Sequence, residues 1–239
     1  MNDMKNGSIP DDYINVVYGE GVKPFTSYPL KLTRYLFERC RVQKGKKLLD
    51  LGCGRGEFLN GFITAWVDGH GVDFTDAAID QCPHATIKQA DIENDGLPYP
   101  DNYFDVVFSK SVIEHFHNPD IMIKEVFRCL KPGGLAIILA PSWEYNYRIY
   151  FEDYTHRTPF MLSSLNDILL IHGFDMVKVQ FFKQLPILWG SLYWLFNPLS
   201  VLTRYLLPRI FSKHFKWVRF SKEIMLLSTA LKPIKWWWI

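Results

Sequence analysis

Residues Lys47 to Phe58 read KLLDLGCGRGEF, an apolar run that passes through three glycines into polar, helix-forming residues. The run Lys47 to Leu51 has the make-up of a buried strand, and a helix is expected to open at about Glu57. Glycine at 52, 54 and 56 permits turns and close backbone approach that a Cβ would forbid, and amides at a helix start favour a negative group. Such a turn holds a small ligand. The dinucleotide spacing G-x-G-x-x-G is not met, because the third glycine comes one residue early, and Asp50 stands two residues before the first.

The 239 residues suit one α/β unit with an elaboration, and 48% apolar residues supply a sizeable core. Cys40, Cys53, Cys82 and Cys129 are scattered without a C-x-x-C pair, which fits a reducing compartment and neither a disulfide framework nor a zinc site. The start, MNDMKNGSIPDD, lacks the apolar stretch of a signal peptide, so a cytoplasmic location is expected. Net charge is +2 but uneven. From Arg204 onward there are 8 Lys and Arg against one acid, Glu223, so the tail is +7 and the body −5.

Along the chain, LKLTRYLFERC has helical spacing, with Tyr18 and Tyr28 as aromatic candidates either to close the pocket or to pack in the core. HGVDF (His70 to Phe74) is a second strand ending at Asp73, where a carboxylate accepts hydrogen bonds from ribose hydroxyls. A short helix over Ala77 to Gln81 is expected, then a third strand at Thr86 to Ala90 delivering Asp91 and Ile92. Phe104 to Phe108 is a buried fourth strand, and Pro119 to Leu130 a helix stopped by Lys131-Pro132-Gly133-Gly134 before the fifth strand, LAIILAP. A helix from Ser164, with Asp167 as capping partner, ends at Gly173. Phe174 to Phe182 and Glu223 to Leu231 form an antiparallel pair.

The pattern Asp-x-Gly-x-Gly-x-Gly, the phrase LPYPDNYFDVVFSKSVIEHF and the KPGG before a strand together resemble the class I S-adenosylmethionine-dependent methyltransferases, over about Lys47 to Pro141. The resemblance implies an α/β, Rossmann-like, seven-stranded sheet of order 3-2-1-4-5-7-6 with strand 7 antiparallel and helices on both faces. It implies S-adenosyl-L-methionine as cofactor, held by Asp50, Gly52, Cys53, Gly54, Gly56, Asp73, Phe74, Asp91, Ile92 and Ser109. The expected organisation is a lid or helical segment at 1–45, the cofactor-binding core at 46–182, an insertion at 183–222, and a last strand and tail at 223–239.

The cofactor carries its methyl on a sulfonium, so the protein need only align an acceptor and take a proton from a hydroxyl. No metal is expected, since no His, Asp or Glu group shows ligand spacing. Bases are sought in the loops after strands four and five: His115 and His117 in the first, Tyr154, His156 and Arg157 in the second. A histidine titrates near neutrality. The phrase around His156 resembles one in methyltransferases of surface-glycan clusters, which makes His156 and His115 the catalytic candidates and Tyr154 and Arg157 the substrate-binding ones.

Gln184 to Thr203, about 20 residues, is free of charge, but Pro186, Gly190 and Pro198 interrupt it. An interfacial amphipathic element, an extra core or dimer contact and a transmembrane helix are all open readings. The basic aromatic run after it and the terminal KWWWI favour a membrane surface. The expected substrate is a small molecule or a lipid-linked or nucleotide-linked glycan precursor, O-methylated at the inner face of the membrane. A quinone or other lipid methyltransferase and a non-catalytic cofactor-binding subunit are the alternatives. Nucleic acid is not expected as a partner. Ser109-Lys110-Ser111-Val112 stands where an Asn/Asp-Pro-Pro-Tyr/Phe tetrad would serve adenine, and no Pro-Cys pair follows strand four.

Overall fold

A computed structural model describes residues 24–79 and 81–234, with Val16, Gly19 and Gly21. Tyr18 and the terminal tryptophans lie outside the described residues. One seven-stranded sheet runs in the order β3-β2-β1-β4-β5-β7-β6, with β7 antiparallel to both its neighbours. Its strands are β1 (Lys47–Leu51), β2 (Asp68–Asp73), β3 (Thr86–Gln89), β4 (Phe104–Lys110), β5 (Leu130–Pro141), β6 (Asp175–Lys183) and β7 (Ile224–Leu231). The helices are α1 (Tyr28–Arg39), α2 (Glu57–Ile63), α3 (Ile92–Asp95), α4 (Pro119–Cys129), α5 (Trp143–Asn146), α6 (Leu162–Ile171), α7 (Tyr193–Leu206) and α8 (Lys216–Lys222).

The central strands are apolar on both sides because both faces are covered. On one face Leu49, Leu51, Val107 and Ile138 meet α4 and α6 through Met122, Ile123, Val126, Leu165 and Leu169. On the other, Leu48, Val106, Phe108 and Ile137 meet α1 and α2 through Leu32, Leu36, Leu59 and Phe62.

Several local expectations are corrected. No helix forms over the described part of Ala77 to Gln81. The Ile79 amide donates to the Asp76 carbonyl in a single turn, since a segment so short gains too few bonds to offset helix nucleation. KPGG is more than a terminator. β5 starts at Leu130 and its pairing with β4 shifts register between Phe104 and Val106, so the glycines form a bulge, with Gly133 at φ 77°. Lys131 meets Asp105 there at 2.9 Å. α6 is capped by Ser164, whose hydroxyl accepts the Met161 amide at 2.9 Å, and not by Asp167. Tyr28 is a packing residue rather than a lid. Its ring contacts Phe58, Trp189 and Phe220 and its hydroxyl donates to Gln184 Oε1 at 3.1 Å.

The insertion leaves β6 at Lys183 and returns to β7 at Ile224, which are paired residues. Its main helix, α7, starts at Tyr193 and continues past the charge-free run to Leu206, with Pro198 inside it. No described helix is long and apolar enough to cross a membrane. Trp194, Leu195, Leu199, Leu202, Tyr205 and Leu206 are exposed along α7, and Ile210, Phe211 and Phe215 continue the apolar surface.

Gly56 shows the packing demand at the turn. Its φ is 76°, and an added Cβ would stand 2.1 Å from Cys82 Sγ. Gly56→Ala is expected to lose about 3 kcal/mol, from left-handed strain and overpacking together. Thermal melts should show a Tm lower by about 10 °C. Gly54→Ala, where nothing lies within 4 Å of the added carbon, should lose less than half of that.

Candidate active site

The turn after β1 is built around its own carboxylates. Asp50 is buried, and among the described residues its Oδ2 has no hydrogen-bond partner. Burial, and then the charge of Asp73, push its pKa up to about 8, while the Leu59 amide in the first turns of α2 opposes the shift. The helix start is thus partly occupied by the chain's own Asp50 rather than wholly free for a ligand. Asp73 accepts the Gly54 amide at 2.8 Å and both the amide and hydroxyl of Thr75 at 3.1 Å. Burial raises its pKa, and these bonds lower it.

The three glycines differ in purpose. A Cβ at Gly52 would lie 2.2 Å from Val112 Cγ2, and one at Gly56 would strike Cys82, so these two are glycines for packing. Gly54 alone of the three faces open space at a positive φ of 52°, where backbone can approach a ligand. Cys53 is buried, its thiol pKa raised by burial and then by Asp50 and Asp73, and its amide donates to the Val72 carbonyl at 3.1 Å.

Four other expected contacts carry structural duties. Asp91 caps α3, accepting the Glu93 and Asn94 amides at 3.1 and 3.3 Å and Asn94 Nδ2 at 2.8 Å. Ser109 is fully buried and donates to the Leu51 carbonyl at 3.1 Å, tying β4 to β1. Phe74 is half-buried beyond β2, its carbonyl accepting Gln89 Nε2, and Ile92 is buried in α3.

A cofactor with a cationic sulfonium and ammonium group fits this cradle on the orphaned buried oxygen of Asp50, the open face at Gly54 and the ring of acids at strand ends. Asp50, Asp73 and the 52–56 backbone would hold it.

The second half of the site follows directly. Val112, which packs over Gly52, leads into a tight turn, Ile113–His115, and the loop between β5 and α6 folds back onto that turn. Ser142 and Phe160 bridge the ends of this loop, and the Arg157 and Thr158 amides donate to the Glu114 carbonyl at 2.7 and 3.1 Å. His115 and His156, 41 residues apart, therefore meet with ring centroids 4.8 Å apart. The Tyr150 ring lies 4.6 Å from that of His156. Thr155 donates its hydroxyl to Asp153 at 2.6 Å, which leaves its oxygen to accept from His115 Nδ1 at 2.8 Å. That chain of bonds sets the His115 tautomer, with Nε2 as the nitrogen that carries the lone pair. Burial, and then the nearby His156, lower the His115 pKa to about 4, so the ring is neutral at physiological pH.

Sequence reasoning missed Glu114. It is 1% exposed, and neither carboxylate oxygen has a hydrogen-bond partner among the described residues. Burial pushes its pKa up to about 8. The signal was the acid beside His115 in a strand-end loop. Asp153 and Thr155, which the sequence did not single out, orient His115. Tyr154 is 60% exposed, and the exposed Arg157 donates to the Tyr154 carbonyl at 2.8 Å, so both stand at the rim. His117 is also exposed.

A cavity of about 560 Å³ opens beside the insertion, at the sheet end where β5 finishes, β7 begins and β6 finishes. Arg39, Lys183 and Arg204 line it with Tyr35, Tyr145 and Asn197, and among the described residues no acidic side chain does. Burial and then Arg204 lower the Lys183 pKa to about 8, and Lys183 Nζ donates to Asn197 Oδ1 at 2.7 Å. Such a pocket suits an anion.

A family model described as a methyltransferase domain matches residues 25–179. Phosphoethanolamine N-methyltransferase 1 of Arabidopsis thaliana is 26% identical over 181 residues, which is 71% of this chain and 33% of that protein. A ubiquinone/menaquinone biosynthesis C-methyltransferase of Nitrosospira multiformis is 29% identical over 130 residues, 49% of this chain and 52% of its own. The chain spans 26% to 39% of the first three curated relatives. Among solved structures, phosphoethanolamine N-methyltransferase 2 of Haemonchus contortus in complex with S-adenosyl-L-methionine superposes with a TM-score of 0.68 at 18% identity, over 96% of this chain and 61% of that one. A SAM-dependent methyltransferase from Archaeoglobus fulgidus gives 0.63 at 20% identity, over 92% and 100%.

Proposed function

Because this chain belongs to the methyltransferase domain family and its cofactor is S-adenosylmethionine, we propose that it methylates a hydroxyl on a phosphate-bearing small molecule, such as a lipid-linked or nucleotide-linked sugar. The observation that carries this reading is the cavity of Arg39, Lys183 and Arg204 at the sheet end where β5 and β6 finish, with no acid among its described lining residues. Three cations with no compensating acid among the described lining residues favour a phosphate or pyrophosphate ligand.

When bound, the cofactor supplies a methyl group on a positively charged sulfur. The residues of the chain do the rest. Asp50, Asp73 and the 52–56 backbone hold the donor end, and Val112 joins it to the Glu114–His115–His156 cluster. The acceptor hydroxyl is held by that cluster, and His156, with His115 beside it, would receive its proton as the oxygen takes the methyl and the sulfur–carbon bond breaks. Tyr154 and Arg157 border the entrance. The exposed apolar face of α7, with the basic residues that follow, supports attachment to the inner membrane surface.

The quinone-biosynthesis relative favours a second reading, an apolar lipid acceptor without phosphate. Both are tested by incubating the protein and labelled cofactor with membrane and soluble extracts. Label is expected in a phosphate-bearing product, and Lys183→Gln should raise KM roughly tenfold with little change in kcat, as for loss of one charged hydrogen bond. Label confined to neutral quinone-type lipids, insensitive to Lys183→Gln, would overturn the hydroxyl-on-phosphate reading.

A further inference from the structure

We propose that Glu114, His115 and His156 form a binding site for one divalent first-row transition-metal ion at the acceptor end of the active site. The proposal rests on the reading of this cluster as the place where the acceptor hydroxyl sits.

One ligand atom from each of the three residues lies within 4.8 Å of the other two. A tetrahedral ion with bonds of about 2.1 Å wants its donors about 3.4 Å apart, so side-chain shifts of about 1 Å close the site. Glu114 provides the independent sign of a missing ligand. Its carboxylate is walled off from solvent and makes no hydrogen bond to any other described residue, which native proteins rarely tolerate without an ion or water to satisfy the group. A cation meets that need directly.

The surroundings have the form of an outer ligand shell. A metal-bound imidazole usually donates its second N–H to an oxygen that fixes its orientation, and here His115 Nδ1 donates to Thr155, itself bonded to Asp153. That tautomer puts the His115 lone pair on Nε2, the form an ion takes. The charged groups around the cluster are of both signs, Asp153 negative and Lys110 and Arg157 positive, and a bound cation would draw the Glu114 carboxyl into its ionised form. Two imidazoles and one carboxylate favour zinc, manganese, iron(II) or cobalt over magnesium and calcium, which prefer oxygen alone.

Three protein ligands leave coordination positions open for the acceptor oxygen. An acceptor hydroxyl bound there loses its proton to water more readily, and its oxygen then forms the bond to the methyl carbon as the sulfur–carbon bond breaks. In the loaded site the histidines serve as ligands, and in the empty one they remain the bases.

The test is a titration of the chelator-treated full-length protein with Co²⁺, followed by visible absorption, with Zn²⁺ stoichiometry measured by elemental analysis after gel filtration. One equivalent per chain is expected. Glu114→Gln and His156→Ala should each weaken binding at least a hundredfold while keeping a cooperative melt and cofactor binding, and Thr155→Val should weaken it ten- to a hundredfold. Absence of stoichiometric binding, or binding unaltered in the folded Glu114→Gln and His156→Ala variants, overturns the site. One bound equivalent lost in the variants supports the site even where no acceptor fraction takes label, a result that counts against the acceptor reading alone.

Discussion

Asp50→Asn is expected to abolish the pH dependence of S-adenosylmethionine binding and to hold the affinity at or below the low-pH level of the parent protein. Burial and the neighbouring Asp73 keep the Asp50 carboxyl protonated up to about pH 8 in the free protein. The cofactor brings positive charge, which favours the ionised form, so binding expels a proton. Affinity should therefore rise with pH by up to tenfold per unit between 6 and 8, then level off. Calorimetric titration at pH 6, 7 and 8 in buffers of different ionisation heat reads both affinity and proton release; a flat affinity across that range would sink the assignment.

Stability carries the opposite sign. The folded pKa of Asp50 lies above its unfolded value near 4, so between about pH 4 and 8 the folded state holds more protons than the unfolded one. The free protein loses stability as pH climbs through that window, by a few kcal/mol at most from this group. Asparagine, which cannot ionise, removes that slope. The Tm advantage of Asp50→Asn over the parent should be absent near pH 4 and grow toward pH 8, although the variant binds cofactor less well.

The second large effect is at His156. His156→Ala should leave cofactor affinity within about twofold and reduce kcat by 10² to 10⁴, the range for loss of a positioned base or ligand. The ring is held between Tyr150 and His115 in the loop that closes on the β4 turn, and it lies on the far side of Val112 from the cofactor cradle. Single-turnover measurement with pre-bound cofactor separates the two outcomes. Undiminished turnover would remove His156 from the chemistry under either the base or the ion reading.

The donor half of the site was legible in the sequence because it is local. Asp50, the glycine turn and the opening of α2 are consecutive, and Asp73 ends the next strand, so strand-and-turn patterning alone brings them together. The duties of individual residues within it were less legible. Asp91 has the look of a ligand contact and is bonded as a helix cap, and Gly52 and Gly56 are small because Val112 and Cys82 fill the space beside them. The acceptor half was hidden by distance along the chain. His115 and His156 meet only through the β5–α6 loop, and Glu114 looked like part of a common phrase until its burial was known. In the insertion, Pro186, Gly190 and Pro198 are expected to break the charge-free run 184–203 into short pieces, whereas α7 begins at Tyr193, passes through Pro198 and ignores the change in composition at Arg204. Helix bounds there follow packing against α8, which Thr203 supports by accepting the Trp217 indole N–H at 3.0 Å.

The two excursions on the acceptor side share one property of attachment. The β5–α6 loop leaves and rejoins at Ser142 and Phe160, which bridge each other, and the insertion leaves and rejoins at Lys183 and Ile224, which are paired across β6 and β7. Each is thus a closed detour whose two ends are already neighbours, so changing its length alters the entropy of closure only slowly and leaves the sheet register untouched. Under the proposed function, acceptor choice is in this sense an interchangeable part. A loop or insertion from a relative with another substrate could be grafted between those same paired residues while the donor half is left as it is.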